Sequence, residues 1–272
     1  MSLVINTNVA SLNAQRSLAK SGAELSTAME RLSSGKKINS AADDAAGFAI
    51  AERMTAQVRG LNMAAKNAND GLSMLATIEN ATNDVTDMLH RMRELAVQAA
   101  NDTNGATDRG YLQTEVTALI AEIDRVSSDT KYNGTAVLDG TFTTKKLQVG
   151  TEASQTITFS VDGVSASALS VDAVSVSSQA GATAALTAIS TAIEAVASDR
   201  ATYGALQNRL EYTVSNLMNV SEFTQAARSR IEDADFAAES ARLSKAQVLQ
   251  QTGTAMLAQA NASQQLALSL FR

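Results

Sequence analysis

The single histidine, His90, and the adjacent acids Asp43 and Asp44 are the residues from which acid–base chemistry would have to be built in this chain. His90 stands beside Arg91 and near Arg93, and there is no second histidine and no cysteine to join it as metal ligand or nucleophile. It reads as a solvated helix position. Asp43 and Asp44 could in principle share a proton between them. They follow a polar connector and precede a long helical pattern, so they read instead as acids at a helix N-terminus, where the macrodipole favours negative charge. No HExxH zinc motif and no glycine-rich phosphate loop is present. The nine methionines, Met88 and Met92 among them, fit as adaptable core side chains. The chain is therefore read as no enzyme, with no metal and no cofactor.

The residue pattern offers seams in place of a cleft. From Leu243 through Ala246, Leu249, Gly253, Met256, Ala260, Ser263 and Ala267 to Leu270, the steps alternate between three and four residues, the spacing of a coiled-coil-like helix. A membrane span is excluded there by eleven Gln, Asn, Ser and Thr residues between positions 246 and 272. At the other end Ile5, Val9 and Leu12 lie about one helical turn apart, and Leu18, Leu25 and Leu32 repeat every seven. Both ends read as helices that need partners to bury their apolar faces.

These seams require long helices, and the composition allows them. The 272 residues include no proline and no tryptophan, and only 4% are aromatic, a poor match to an ordinary compact enzyme core. The first helix is predicted over residues 8–33, with Gly35 ending it and Arg31 in its last turn. Ser40 and Asp43 fit a capping-box pattern before a second, very long helix. That helix carries Val85, Met88, Met92, Leu95 and Ala99 on one line and ends at the turn formed by Thr103, Asn104 and Gly105. A third helix over residues 108–128 aligns Leu112, Val116, Leu119, Ile123 and Val126 and is broken by Asn133 and Gly134. The period then changes: Leu147 and Val149, then Ile157, Phe159 and Val161, alternate with polar residues beside the Asp162–Gly163 turn, so hairpins are predicted in the middle of the chain. Helical spacing resumes at Leu186, Ile189, Ile193 and Val196 and continues to Leu217. The predicted fold class is mainly α: a long antiparallel helical bundle or coiled-coil rod with a small β-hairpin region, about residues 135–178, in the middle of the chain.

Charge and cysteine content narrow the partners. The formal net charge is −6, with no basic stripe, so nucleic acid has no electrostatic footprint to bind. The termini lack the basic faces and aromatic anchors of a membrane-inserting helix. The first residues lack the basic and apolar regions of a secretory signal, and the absence of cysteine leaves no disulfide to obstruct export of an unfolded thread.

Three blocks carry a family resemblance. Residues 32–54, LSSGKKINSAADDAAGFAIAERM, and residues 69–101, NDGLSMLATIENATNDVTDMLHRMRELAVQAAN, resemble the N-terminal blocks of bacterial flagellin; residues 229–261, SRIEDADFAAESARLSKAQVLQQTGTAMLAQAN, resemble its C-terminal signature. The resemblance implies a structural subunit that self-assembles into the helical flagellar filament, secreted to the cell exterior and used for motility, here in a short form without large outer domains. It implies a terminal helical domain of residues 1–42 and 235–272 in the filament core, folding on assembly, and a rod-like domain of residues 43–234 forming the outer tube. The assembly seams would be carried by Ile5, Val9, Leu12, Leu18, Leu25, Leu32, Leu243, Leu249, Met256 and Leu270. Implied partners are other flagellin subunits, the flagellar export apparatus, a cytosolic export chaperone at the C-terminal helix and the filament cap. The contexts LHRMRELAVQ and TEVTALIAEIDRV further place Arg91, Leu95 and Glu115 at positions that in the family meet the Toll-like receptor for flagellin and neighbouring subunits.

Overall fold

The structure, a computed structural model, describes residues 7–269, with side chains to residue 263. Among these the chain forms five helices and four short strands: α1 (Val9–Ser34), α2 (Ala45–Ala99), α3 (Ala106–Asp129), β1 (Lys131–Tyr132), β2 (Thr135–Ala136), β3 (Lys145–Gln148), β4 (Thr156–Phe159), α4 (Gln179–Glu232) and α5 (Phe236–Ser269). The mainly α class with a small β region is as the sequence predicts. Helices of 55 and 54 residues are tolerated because no proline interrupts them.

Each helix start and stop has a local cause. The Asn8 side chain accepts from the Ser11 N–H at 3.0 Å, and Gly35 takes the left-handed conformation at φ 72° that ends α1. Asp44, rather than the Ser40–Asp43 pair, caps α2, its Oδ1 accepting from the Gly47 N–H at 3.0 Å. Asp43 instead folds back on the connector, accepting from the Ser40 and Asn39 backbone N–H groups at 2.9 and 3.1 Å. The capping-box expectation fails because the connector turns once more before the helix begins. Arg109 closes the end of α2 by donating to the Ala99 carbonyl at 2.8 Å, Ser178 Oγ accepts from Gly181 at the start of α4, and Asp235 Oδ1 accepts from Ala237 and Ala238 at the start of α5.

The chain divides into two compact units, residues 1–56 with 223–272, and residues 57–222; the divisions fall inside α2 and inside α4. In the second unit α2 and α4 run antiparallel, with Arg200 on Glu79 at 2.7 Å and Ser221 on Asn62 at 2.9 Å. Their shared core holds Leu75, Ile78, Leu89, Met92, Ile123, Ile189 and Leu210, all fully buried. One 18-residue stretch of α4, mean hydropathy 1.4, is apolar and long enough to cross a membrane. Ala182, Ala185, Ile189, Ala192 and Val196 of this helix lie in this core, and 28% of the stretch is buried.

The β region is two separate antiparallel pairs, β1 with β2 and β3 with β4, the latter placing Leu147 opposite Ile157. Asn133 at φ 48° and Gly134 at φ 78° form the two-residue turn of the first pair. The second pair lies against α2 where Gly71 leaves room for Leu147, whose Cδ1 would sit 2.6 Å from any Cβ. Asp162 and Gly163 do not turn a hairpin. The chain after β4 is irregular: Val161 and Val164 donate to the Phe142 and Leu138 carbonyls at 3.0 and 3.1 Å, and of the α3 side chains Asp124 accepts from the Ala166 N–H at 2.8 Å and Gln113 from the Val176 N–H at 2.6 Å, while Ser127 donates to the Leu138 carbonyl, ahead of β3, at 2.8 Å. Val161, Val164, Val171 and Val176 are buried without forming strands.

Candidate assembly surface

The first unit is built on α1 and α5, which run antiparallel. Asn8 donates to the Ala260 carbonyl at 3.0 Å at one end, and Arg31 meets Glu239 at 3.3 Å at the other. The face of α1 that meets α5 follows a heptad line of small and large groups: Ser11, Ser21 and Ala28 are buried, and Leu18, Leu25 and Leu32 half-buried. The serine hydroxyl of Ser21 is satisfied within its own helix, donating to the Leu18 carbonyl at 3.0 Å. On α5 the matching line is Glu239, Leu243, Ala246, Gly253, Leu257 and Ala260. Gly253 admits Leu18, whose Cδ1 would lie 3.3 Å from an added Cβ.

The sequence-derived seam residues thus separate into two groups. Leu18, Leu25, Leu32 and Leu243 face the partner helix. Val9, Leu12, Leu249 and Met256 do not; they are 60%, 56%, 42% and 64% exposed, and Val248 is 57% exposed. Leu249 and Met256 line an open groove of about 570 Å³ with Ala10, Ala14 and Ser17 of α1. Ile5 and Leu270 lie outside the described residues. Sequence spacing alone did not reveal that Leu257 takes the inward place expected of Met256, because two lines of apolar residues one position apart both satisfy a three–four step.

The interface also holds charge that periodicity did not single out. The Glu239 carboxylate, with only 6% of its side chain exposed, accepts from Arg242 at 2.7 Å as well as from Arg31. Next to it the two connectors bordering this helix pair are zipped together. Lys37 and Ile38 both donate from their backbones to the Glu232 carbonyl, Ala234 donates to the Gly35 carbonyl at 2.9 Å, and the Lys36 ammonium pairs with the Glu232 carboxylate.

In the second unit, Arg91 Nε donates to Glu115 Oε1 and Arg91 Nη1 to Glu94 Oε2, both at 2.9 Å, on an exposed face. The Glu115 carboxylate, and Glu94 after it, hold the guanidinium further above its ordinary pKa. Leu95 corrects the expectation placed on it: it is 1% exposed and belongs to the core, because it shares the inward line of Val85, Met92 and Ala99. His90 lies exposed on α2. Among the described residues no cluster of three or more His, Cys, Asp or Glu side chains is arranged to hold a metal ion.

Surfaces of this kind, apolar lines on paired terminal helices, suit association and not turnover. Comparison with known proteins identifies which association. Residues 5–143 match the bacterial flagellin N-terminal helical region, and residues 186–271 match the bacterial flagellin C-terminal helical region. The chain belongs to the bacterial flagellin family. A flagellin of Halalkalibacterium halodurans is 43% identical over 272 residues, covering 99% of this chain and all of the relative. The flagellar filament 33 kDa core protein of Treponema phagedenis is 40% identical over 286 residues, covering 99% and 100%. The crystal structure of Bacillus cereus flagellin superposes with a TM-score of 0.51 at 34% identity, over 56% of this chain and 88% of that one. Flagellins are the structural subunits of the flagellar filament, an extracellular organelle, and not enzymes.

Proposed function

We propose that this chain polymerises head to tail into an open helical filament through the faces of α1 and α5 that the monomer leaves uncovered. The observation that carries this reading is the exposure of Val9, Leu12, Val248, Leu249 and Met256 on the two helices whose mutual interface buries mainly small groups. Such contacts are heterologous and do not close, so they propagate, and their repetition along a polymer makes weak single contacts cumulative. In this reading residues 1–42 and 235–272 line the filament core, and residues 43–234 form the surrounding tube. The terminal helices acquire lasting order on assembly, because a pair that buries so little large apolar surface barely offsets the entropy of ordering it. The chain leaves the cell unfolded through the flagellar export apparatus, with a cytosolic chaperone covering the C-terminal helix, and a cap folds it at the growing tip. Arg91 and Glu115 are the accessible part of the patch that the Toll-like receptor for flagellin would meet.

Electron microscopy of dissociated chain added to short filament seeds tests the reading. Continuous elongation with rising subunit concentration is expected. Growth that stops after a short layer would mean a junction protein, capping the seeds. Leu249→Asp together with Met256→Asp should abolish elongation while leaving the second unit folded.

A further inference from the structure

The sequence contains two Asn–Gly dipeptides, Asn104–Gly105 and Asn133–Gly134, and the structure treats them in opposite ways. In this dipeptide the backbone nitrogen of glycine can reach the side-chain carbonyl carbon of asparagine without interference from a Cβ. The reaction needs that nitrogen free of other bonds, a side-chain amide free to rotate, and room around both.

At the junction between α2 and α3 the first two are denied. The Asn104 amide donates to the Gln98 carbonyl at 2.5 Å, tying down the side chain. The Gly105 N–H donates to Asp108 Oδ2 at 3.1 Å as part of the α3 start, and the Asn104 N–H donates to the Asn101 carbonyl at 3.2 Å. The nucleophile and the leaving amide are both held in place.

At the β1–β2 turn all three are granted. Asn133 and Gly134 are exposed, and an added Cβ on Gly134 would meet nothing within 4 Å. Among the described residues neither the Asn133 side chain nor the Gly134 N–H has a hydrogen-bond partner. Asn133 is moreover one of three non-glycine residues with positive φ among the described residues, a conformation that costs energy.

We infer that Asn133 is a self-modification site, at which the chain converts its own asparagine to isoaspartate and aspartate, whereas Asn104 is protected. The Gly134 nitrogen bonds to Asn133 Cγ, the Cγ–Nδ2 bond breaks, and ammonia leaves with the proton lost by the amide nitrogen, giving a five-membered imide. Water then opens the ring at either carbonyl. The net reaction consumes one water and releases one ammonia, with no oxidant or reductant. The isoaspartyl product inserts one extra carbon into the backbone of a two-residue turn whose twist is matched to its strands. The pairing of Tyr132 with Thr135 sits directly beside it, and Val137 and Leu138, both fully buried, follow immediately. The modification therefore loosens a core attachment and adds a negative charge.

Incubation of the full folded chain in mildly alkaline buffer at physiological temperature, followed by peptide mapping and isoaspartyl methyltransferase labelling, tests this. Isoaspartate is expected at position 133 with Asn104 lagging many-fold, and the two rates should converge in concentrated urea. Asp108→Ala, which frees the Gly105 nitrogen, should bring Asn104 reactivity up in the folded chain. Equal rates at the two sites in the folded protein, faster reaction at Asn104, or an inert Asn133 would each overturn the inference.

Discussion

The two units meet the same physical requirement, burial of apolar helix faces, with different means. Residues 57–222 bury leucine, isoleucine, methionine and valine completely, around α2, α3 and α4. The α1–α5 pair buries serine, alanine and the Glu239 carboxylate and leaves its larger apolar side chains half-covered or exposed. The first pattern stabilises a monomer. The second holds apolar area in reserve, so its full stabilisation depends on a further partner. Where a protein places its large side chains tells which part is self-sufficient and which part is made for assembly.

The largest test of that contrast is a matched truncation. Ile78→Ala should cost the second unit about 2–5 kcal/mol in chemical denaturation, the range for emptying a fully buried aliphatic site. Leu25→Ala, at a half-buried position, should cost the monomer far less, yet should raise the subunit concentration needed for seeded elongation. Comparable losses in the monomer would break the distinction between the units.

A smaller effect sharpens it. Tyr203 is 2% exposed, and among the described residues its hydroxyl has no partner at full hydrogen-bond geometry; burial first, then the Asp199 carboxylate, push its ionisation well above the ordinary phenol range, against a weaker downward pull from the Asp162 backbone N–H. Tyr203→Phe removes an uncompensated polar group and should raise stability by about 1 kcal/mol, measured as a shifted denaturation midpoint. A loss would mean that the hydroxyl is satisfied.

The smallest expected effects differ in sign between the units. In the second unit burial, and then Asp162, raise the Asp199 pKa above its ordinary 3.8, so its ionisation opposes folding. Its contribution is present in acid and lost as pH rises through the raised value. Asp199→Asn should therefore be more stable than the parent at neutral pH and should lack the parent's gain on mild acidification. In the first unit the Ser40 and Asn39 backbone N–H groups lower the Asp43 pKa below 3.8, so its contribution is present at neutral pH and lost as pH falls through the lowered value. Asp43→Asn should flatten that acid loss. Denaturant midpoints of parent and variants between about pH 3 and pH 7 follow both, and variant-minus-parent differences that slope with pH in the same direction would refute the assignments.

Much of this was legible in the sequence because helices impose a period that survives in the residue order. The lines through Val85, Met92 and Ala99 and through Val116 and Ile123 are buried as expected, the third helix stops before Asn133–Gly134, and Gly35 ends α1. What escaped has physical reasons. Ser21 escapes as an interface residue, since a hydroxyl that bonds within its own helix is polar in composition and inert in packing. Met256 and Leu257 compete for the same inward place on α5, and only the partner helix decides between them. The segment after β4 looks like strand because its valines alternate, but its backbone partners are scattered, the Phe142 and Leu138 carbonyls and the side chains of Asp124 and Gln113, and form no ladder. Leu95 shows the converse limit: motif context assigns a surface role to a residue that the helical period, taken by itself, already places inside.

The bond from Asn8 to Ala260 joins residues 252 positions apart, and the pair Arg31–Glu239 spans 208. A ribosome delivering about 5–20 residues per second would keep α1 waiting on the order of 10–40 seconds before its counterpart exists at all. The second unit is complete once residue 222 has been made, the first only when α5 follows, so the order of synthesis completes the middle of the chain before it gives α1 its counterpart.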